Sequence, residues 1–378
     1  MKNKIFVDAL GTHRVGGGRT AIHTLLDYVF DLDQVTPFVV LVSAHESAWD
    51  RYGNVEQRVI PGGRFAVRVL LQLRLPLWVR REQAALVHFT KNLGVFGLSC
   101  PYIVTIHDLT TLLLPDQHTV LDVAYWRWVE PLTARAAAQV IAVSHATAAD
   151  IEQFYGIPRP QIEVIHWASH ARFAPAQDPR HIEGVRRRYE LPARYILFLG
   201  ILAQKKNLPT LLKSLAYLRA RRPDMPDLVI VGRRYSQSED KVSRALVHQL
   251  GLDDHVHFVG PVPDKELPLF YSGAELYVLP SLHEGFGIPC LEAMACGTPV
   301  VTTRKGALAE ISGDAAVIID DPEDVSKLSA AIERVLYDEQ MKRDLIQRGL
   351  RRANDFSWEG SAEQMLRVYR SIMGDQDS

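Results

Sequence analysis

The stretch AELYVLPSLHEGFGIPCLEAMACG, residues 274–297, combines a short apolar strand, a glycine-containing loop and a capped helix. Every residue of the run Leu-Tyr-Val-Leu is largely apolar, as expected of a strand in a parallel sheet whose two faces are both covered. Pro289 suits the first turn of a helix, where its missing N–H would have no intrahelical partner. Gly297 is suited to end that helix. The stretch therefore predicts a strand–loop–helix unit, the building block of an α/β fold.

The same unit repeats along the whole chain. Apolar strands are predicted in the first half at KIFVDAL, FVVLVS, ALVHFT, YIVTIHDL, QVIAVS and IEVIHW, and in the second half at YILFLG, DLVIVG, VHFVG, AELYVLPS, PVVTT and AAVIID. Amphipathic segments separate them, and one of these is predicted as a helix that Ser144 begins and Gly156 ends. Periodicity is lost over residues 168–184, which are rich in proline and polar residues and are predicted to form a linker. We therefore predict two doubly wound Rossmann-like domains, residues 1–175 and 185–355, that face each other across a cleft.

Length and composition limit the classes of protein. A chain of 378 residues exceeds what one hydrophobic core usually serves, which agrees with two domains. The formal net charge of −1 provides no overall field for nucleic acid, so no nucleic-acid partner is expected. Three scattered cysteines form neither a disulfide framework nor a zinc motif and favour a reducing cytoplasm. Without a signal-like start or an apolar run of membrane-spanning length, we expect a cytoplasmic protein.

The loop around Gly285, Phe286 and Gly287 has the features of an anion site. A glycine loop that leads into a helix N-terminus presents backbone N–H groups and a partial positive charge, which suits a phosphate. Glu292 falls about one turn into the helix, where its carboxylate can accept two hydrogen bonds from a ribose diol. Glu284 precedes the turn and can reach a sugar ring. The alternative is that Glu292 only complements the helix dipole and Glu284 is a solvated loop residue.

The motif EGFGIPCLE, followed by AMACGTPVV, closely resembles the signature of the retaining family 4 glycosyltransferases, which have the GT-B fold. The resemblance implies that Glu292 contacts the nucleotide ribose and Glu284 the donor hexose. It also implies that the backbone at Gly285, Phe286 and Gly287 contacts sugar and phosphate. The C-terminal FSWEGSAEQMLRVYRSIM resembles the family's last helix, so residues 356–374 or thereabouts are expected to pack back on the first domain.

A lysine pair follows the first strand of the second half, in FLGILAQKKNLPTLL. A lysine at this position can neutralise the charge that develops on a leaving diphosphate. The family usually has Arg-Lys-Asn here, so Lys206 corresponds to its phosphate-binding lysine, and Lys205 replaces the arginine. Some members also have a basic residue where this chain has Ile201, which leaves the diphosphate charge to Lys206 and Lys205. The alternative is a solvated basic pair at a helix start.

Two segments of the first half also resemble family sites. VGGGRTAIHTLL follows the first strand and is similar to the family's glycine loop, which faces the donor phosphates and the acceptor; Gly17 and Gly18 are its candidate donor-binding residues. It lacks the dinucleotide fingerprint, and a simple turn is the alternative. YIVTIHDL ends in His107 and Asp108 and resembles a family segment whose histidine lies near the reacting sugar, although a structural histidine is the alternative.

No required metal is predicted. The pattern Asp-x-Asp, the metal motif of the other large glycosyltransferase fold, occurs at residues 31–33 and 375–377. The first follows a helix and the second lies in a polar tail, so neither is expected at the carboxyl end of a strand. The charge of the diphosphate is therefore assigned to lysine and the helix end.

A basic segment, GRFAVRVLLQLRLPLWVRR at residues 63–81, combines five arginines with leucines and Trp78. Arg64, Arg68, Arg74, Arg80 and Arg81 beside an apolar stripe suit an anionic bilayer surface. The alternative is an ordinary amphipathic helix that packs on its sheet and is interrupted by Pro76. A lipid-linked acceptor would need a membrane face, so peripheral contact with the inner membrane face is one expectation.

Together these features predict a retaining, metal-independent hexosyltransferase with His107, Lys206 and Glu284 as catalytic residues. The expected donor is a nucleotide diphosphate sugar, with GDP-mannose favoured, and no cofactor is expected. The expected acceptor is a glycan or lipid-linked molecule of polysaccharide or lipopolysaccharide biosynthesis. Two alternatives remain open: a nucleotide-sugar epimerase or phosphorylase of the same fold, and an inactive nucleotide-sugar-binding protein. The presence of both glutamates and Lys206 argues against the inactive protein.

Overall fold

The computed structural model describes residues 4–10, 17–62, 64–92, 94–233 and 237–374. Contacts divide the chain into two compact units. The first comprises Met1–Trp167 together with Ser357–Ser378, and the second comprises Ala168–Phe356. The C-terminal segment therefore belongs to the first unit, although it follows the second in sequence.

The first unit contains a seven-stranded parallel sheet with the order β3-β2-β1-β4-β5-β6-β7. Its strands are β1 (Ile5–Asp8), β2 (Phe38–Val42), β3 (Val55–Val59), β4 (Leu86–Phe89), β5 (Tyr102–Ile106), β6 (Gln139–Ala142) and β7 (Ile162–Val164). The strands β2, β4 and β5 are buried at every position, as their continuous apolar runs require. The edge strand β3, with the sequence Val-Glu-Gln-Arg-Val, was not predicted, because it has no such run.

In the described part of this unit the helices are α1 (Gly17–Leu32), α2 (Arg64–Arg81), α3 (Thr110–Leu113), α4 (Val120–Arg135), α5 (His145–Tyr155) and, after the second unit in sequence, α14 (Trp358–Met373). The predicted limits of α5 are confirmed: Ser144 caps its start, and Gly156, at φ 61°, ends it. Helix α14 packs against α1 and β4. The hydroxyl of Tyr369 lies 2.7 Å from Nδ1 of the buried His88 on β4, which ties α14 to the sheet.

The second unit contains a six-stranded parallel sheet with the order β10-β9-β8-β11-β12-β13. Its strands are β8 (Tyr195–Leu199), β9 (Asp227–Val231), β10 (Val256–Gly260), β11 (Leu276–Leu279), β12 (Val300–Thr303) and β13 (Ala316–Ile319). Its helices are α6 (Pro179–Arg188), α7 (Leu208–Arg219), α8 (Gln237–Gln249), α9 (Leu267–Gly273), α10 (Ile288–Ala295), α11 (Leu308–Ser312), α12 (Val325–Tyr337) and α13 (Glu339–Asn354). Every strand predicted in this half is present.

The predicted fold class, two doubly wound parallel sheets with helices, is confirmed. Two local predictions were wrong. The predicted linker, residues 168–184, is too long, because α6 begins at Pro179 with the side chain of Asp178 as its N-cap. Pro76 does not interrupt α2, which continues through it to Arg81. Within the described residues, no helix is both long enough and apolar enough to cross a bilayer.

Candidate functional site

The candidate site lies at the carboxyl ends of β8 and β11, in the second unit. Strand β8 pairs with β9 on one side and with β11 on the other, so the strand order changes direction here. In open α/β sheets, ligands bind at such a switch point, outside the carboxyl ends of the strands. Lys205 and Lys206 follow β8 in a short 3₁₀ turn, and Glu284 follows β11. The adjacency of these two strands is what brings the lysines and the glutamate together.

Glu284 forms a buried ion pair with Lys206. The Nζ of Lys206 lies 2.6 Å from Oε1 of Glu284, and the two side chains are only 12% and 11% exposed. The hydroxyl of Ser281 donates a hydrogen bond of 2.8 Å to the same oxygen. The Nζ of Lys205 lies 3.9 Å from Oε2. The solvated-residue alternative for Glu284 and the lysines therefore does not describe this structure.

The charge state of Glu284 is set by these neighbours. Burial by itself would raise the pKa of this carboxyl, but Lys206, Lys205 and the Ser281 hydroxyl together hold it below its ordinary value. Glu284 is therefore an ionised carboxylate at neutral pH. The cluster contains two ammonium groups and one carboxylate, so it has a net positive charge that can attract an anion.

Close backbone packing fixes the Glu284 loop. The N–H of Ala307 donates to the carbonyl of Glu284 at 2.8 Å, and the N–H of Leu282 donates to the carbonyl of Lys205 at 2.8 Å. Gly306, at φ 62°, makes the first approach possible, because a Cβ there would lie 2.1 Å from the Glu284 carbonyl oxygen. The loop that follows β12 therefore fixes the backbone at Glu284 by direct contact.

Asn207, next to the lysine pair, has a structural role. It adopts the left-handed conformation at φ 55° and precedes α7. Its side-chain amide donates to the carbonyl of Pro322 at 2.7 Å and accepts from the Thr210 hydroxyl at 2.8 Å. Asn is among the residues that tolerate this conformation best. Asn207 therefore turns the chain so that the lysines precede the helix.

The Gly-Phe-Gly turn leads into α10 as the sequence predicts. Gly287 is the N-cap at φ 103°, Pro289 lies in the first turn, and Gly297 follows the last turn at φ 75°. Phe286 is buried, and its ring makes an edge-to-face contact with Phe356. The turn is thus anchored by an aromatic side chain within the second unit. Gly285 precedes it and directly follows Glu284.

Glu292, the fifth residue of α10, has surroundings different from those of Glu284. The hydroxyl of Tyr271 donates a hydrogen bond of 2.9 Å to its Oε2. Burial raises the pKa of Glu292 to about 7, and the Tyr271 hydrogen bond and the charge of Arg172 act against this rise. The two glutamates of the motif therefore differ in charge behaviour, because Glu284 has a close ammonium partner and Glu292 does not.

In the first unit, His107 follows β5 and is held by the backbone. Its Nε2 lies 2.5 Å from the carbonyl oxygen of Thr90, and its ring packs against Trp167. Burial lowers its pKa, so the ring is neutral at neutral pH with the proton on Nε2. This geometry leaves Nδ1 without a hydrogen-bond partner among the described residues.

The other predicted positions of the first unit are placed as follows. Gly17 and Gly18 are the first two residues of α1; Val15 and Gly16, which precede them in the predicted glycine loop, lie outside the described residues. Asp33 accepts hydrogen bonds from the N–H groups of Val35 and Thr36, so it stabilises a turn. The second Asp-x-Asp, residues 375–377, also lies outside the described residues.

Sequence reasoning missed Ser281 and Tyr271. Ser281 begins the segment that contains Glu284 and could have been noticed as a short-range hydroxyl donor three residues away. Tyr271 has no sequence signal, because it lies 21 residues before Glu292 on a different helix. Only the packing of α9 beside α10 reveals that contact.

Comparison with known proteins shows that both halves of the chain match glycosyltransferase families. Residues 186–352 match the family described as glycosyl transferases group 1, and residues 15–168 match glycosyltransferase family 4. The O-antigen chain mannosyltransferase B of Escherichia coli is 30% identical over 304 residues, which cover 80% of this chain and 79% of that protein. The MMP alpha-(1->4)-mannosyltransferase of Mycolicibacterium hassiacum is 30% identical over 316 residues, covering 78% and 72%.

Solved structures show the same fold. Anabaena HepE in complex with UDP-glucose superimposes with a TM-score of 0.80 at 19% identity and covers 97% of this chain and 99% of that chain. WaaG, a glycosyltransferase involved in lipopolysaccharide biosynthesis, superimposes with a TM-score of 0.76 at 17% identity, with 98% and 100% covered. At these identities the likeness establishes the architecture alone.

Proposed function

The chain belongs to the family 4, group 1 glycosyltransferases, and from that premise we propose that it transfers mannose from GDP-mannose with retention at the anomeric carbon. The proposed acceptor is a glycan or a lipid-linked molecule of polysaccharide or lipopolysaccharide biosynthesis. The two mannosyltransferase relatives at 30% identity support the choice of mannose. The O-antigen chain mannosyltransferase supports this type of acceptor.

The observation that carries the proposal is the buried pair of Lys206 and Glu284 at the switch point of the sheet. We propose that the donor diphosphate replaces Glu284 as the partner of Lys206. Negative charge grows on the diphosphate as the glycosidic bond breaks, so an ammonium positioned beforehand stabilises the transition state more than the ground state. Glu284, released from Lys206, then accepts hydrogen bonds from hydroxyls of the hexose. Lys205 and the first turn of α10 supply further positive charge, which supports a reaction without a required metal.

Glu292 is the proposed ribose contact. A carboxylate can accept both hydroxyls of the ribose diol, and Glu292 lies one turn beyond the Gly-Phe-Gly turn that is proposed to hold sugar and phosphate. The roles of Gly17, Gly18 and His107 are proposals that rest on the family resemblance. No cofactor is part of the proposed reaction.

The product decides between this proposal and its alternatives. Purified protein is incubated with radiolabelled GDP-mannose or UDP-glucose and a mixture of glycan and lipid-linked acceptors, and the product linkage is determined by NMR. We expect an α-linked mannoside, the configuration of the donor. Turnover without an external acceptor would indicate an epimerase, turnover with inorganic phosphate a phosphorylase, and tight donor binding without turnover an inactive binding protein. A β-linked product would contradict retention.

Donor binding tests the roles of the two glutamates. Glu292→Gln should weaken the binding of GDP and of GDP-mannose by the same factor, because both ligands contain the ribose. Glu284→Gln should weaken only GDP-mannose. The matched ligand is 2′,3′-dideoxy-GDP, which lacks the diol: we expect wild type to bind it more weakly than GDP and Glu292→Gln to bind the two alike. Equal losses for all ligands in both variants would contradict this division of roles.

We also propose that one helical layer of the first unit contacts an anionic bilayer. Helix α2 buries Leu71, Leu75 and Val79 against the sheet, so the expectation of an ordinary packed helix is correct for that face. Its opposite face exposes Val69, Leu73 and Leu77. Helix α4 exposes Leu121, Trp128 and Leu132 with similar helical spacing. Both helices contribute to the same core cluster and so cover the same face of the sheet.

The charge of this helical layer supports the choice of an anionic bilayer as the surface that it contacts. Arg74, Arg80 and Arg81 are exposed beside the apolar stripe of α2; the side chains of Arg64 and Arg68 lie outside the described part of the chain. Each basic residue near an anionic surface contributes about 1 kcal/mol of attraction, and exposed leucine and tryptophan add apolar burial.

Vesicle sedimentation at low salt tests the membrane contact. Wild type should bind vesicles that contain phosphatidylglycerol, and reversal of Arg74, Arg80 and Arg81 to Glu should abolish binding while transfer to a soluble acceptor is retained. The control reverses three exposed arginines of the second unit, Arg187, Arg343 and Arg351, with the same change in net charge. Equal losses in both triple variants, or no binding by wild type, would contradict the proposal.

A further inference from the structure

Tyr271 is a fully buried tyrosine whose position is fixed on several sides. It lies on α9, and its ring makes edge-to-face contacts with Phe173 and Tyr277. Its carbonyl accepts a hydrogen bond of 2.7 Å from the hydroxyl of Thr298. A side chain packed in this way has little freedom to rotate, so its hydroxyl is a donor with a fixed direction.

That hydroxyl donates to one oxygen of Glu292. The distance from the Tyr271 hydroxyl to Oε2 is 2.9 Å, which is ordinary hydrogen-bond geometry. An ionised carboxylate has two oxygens and only accepts hydrogen bonds, so a fixed donor on Oε2 sets the direction in which Oε1 can accept. We propose that Tyr271 is a positioning residue for nucleotide binding: its hydroxyl orients the Glu292 carboxylate towards the ribose diol and favours its ionised form. This inference rests on the proposed role of Glu292.

The groups around Glu292 explain why the hydroxyl matters for ionisation. The titratable and charged side chains that interact with it are Tyr271, Arg172, Asp264, Tyr277 and Cys296. Burial raises the pKa of Glu292 to about 7; the Tyr271 hydrogen bond lowers it, as does Arg172, whereas Asp264 raises it. Loss of the hydroxyl therefore moves the pKa upward. A protonated Glu292 loses acceptor capacity, so nucleotide affinity should increase as pH rises through the pKa.

The test compares the pH dependence of nucleotide affinity in wild type and Tyr271→Phe. Calorimetry from pH 6 to pH 9 gives the dissociation constant of each nucleotide, GDP or UDP, for both proteins. For each nucleotide, the constant of Tyr271→Phe is divided by that of wild type, so that titration of the ligand phosphate cancels from the ratio. If the ionised fraction of Glu292 at pH 7 falls from about one half to about one tenth, affinity at pH 7 falls about fivefold. The ratio should decrease to within about twofold at pH 9, where Glu292 is ionised in both proteins.

Tyr277→Phe is the matched control. Tyr277 belongs to the same aromatic cluster and is equally buried, but its hydroxyl donates to the carbonyl of Leu199 at 3.3 Å. We expect Tyr277→Phe to leave the pH profile of nucleotide affinity unchanged. Circular dichroism and thermal melting confirm that each variant is folded.

The double variant Tyr271→Phe/Glu292→Gln separates positioning from a structural role. Because Tyr271 acts through Glu292, it should bind nucleotide as Glu292→Gln alone does. The inference would be overturned, with the ribose contact intact, by either of two results. In one, Tyr271→Phe lowers nucleotide affinity by the same factor at every pH; in the other, it lowers affinity just as much when Glu292 is already Gln. If Glu292→Gln binds GDP and UDP as tightly as wild type, the proposed ribose contact fails, and the inference fails with it.

Discussion

Replacement of Lys206 by Met should affect turnover and stability for two separable reasons. The substitution keeps the length of the side chain but removes the ammonium 2.6 Å from Glu284. Loss of one preorganised charge-stabilising donor costs about 10²- to 10³-fold in turnover. Loss of one partner of a buried ion pair costs about 3–5 kcal/mol, and the lower end applies because both side chains retain slight exposure. At about 2–4 °C per kcal/mol, melting of the second unit should fall by about 6–12 °C.

The pH dependence of this stability loss identifies its origin. In wild type the pKa of Glu284 is lowered, so its stabilising contribution is present above the ordinary carboxyl pKa and is lost as pH falls. In Lys206→Met the carboxylate remains buried without its closest ammonium, so its pKa rises. The stability difference between the two proteins should therefore shrink as pH is lowered from 8 towards 5.

Two further variants separate the charge pair from the chemistry. Lys206→Met/Glu284→Gln removes both charges and should recover most of the lost melting temperature, but turnover should stay low. Lys205→Met should be mild in both assays, because its ammonium lies 3.9 Å from Glu284 and is more exposed. Steady-state kinetics and thermal melting are measured on all variants.

Either of two results would refute this reasoning. A folded Lys206→Met protein whose turnover is within a few-fold of wild type would remove Lys206 from the mechanism. Recovery of turnover in the double variant would show that Lys206 serves only to neutralise Glu284 and not to stabilise the leaving diphosphate.

Three other outcomes follow from the same structure. Transfer should survive dialysis against EDTA, because lysine and a helix end supply the diphosphate's countercharge; loss of turnover that manganese restores would contradict this. Gly306→Ala should destabilise the second unit by about 2–4 kcal/mol in urea unfolding, because its Cβ would overlap the Glu284 carbonyl; Gly251→Ala, with a similar φ of 67° but open space, should cost only about 1 kcal/mol. His88 is buried with a pKa of about 3 against an ordinary value of 6.5, so the unfolded chain binds more protons and stability falls as pH drops below 6.5. At pH 5 this loss is about 2 kcal/mol in urea unfolding, and an equal loss in His88→Gln would point to other groups.

The sequence by itself determined the secondary structure wherever one local rule applied. Continuous apolar runs predicted the central strands, such as β2 and β11, because burial on both faces leaves no place for polar side chains. The limits of α5 followed from Ser144 and Gly156, whose capping chemistry acts within a few residues. The edge strand β3 was not predicted because it is largely solvated, and its three consecutive polar residues, Glu-Gln-Arg, form neither an apolar run nor an alternating pattern. The predicted interruption at Pro76 was wrong because packing of α2 on the sheet overrides the local helix-breaking tendency of proline.

The partners of the candidate site residues were decided only by the tertiary structure. The motif identified Lys206, Glu284 and Glu292 individually, but nothing local connects Lys206 with a glutamate 78 positions later, or Glu292 with the Tyr271 hydroxyl. These pairs depend on strand order, which places β8 beside β11, and on the packing of α9 against α10. Hydrogen bonds and close ion pairs act over about 3 Å, whereas local periodicity specifies only which face of an element is buried. The charge state of each glutamate is therefore a property of the folded chain.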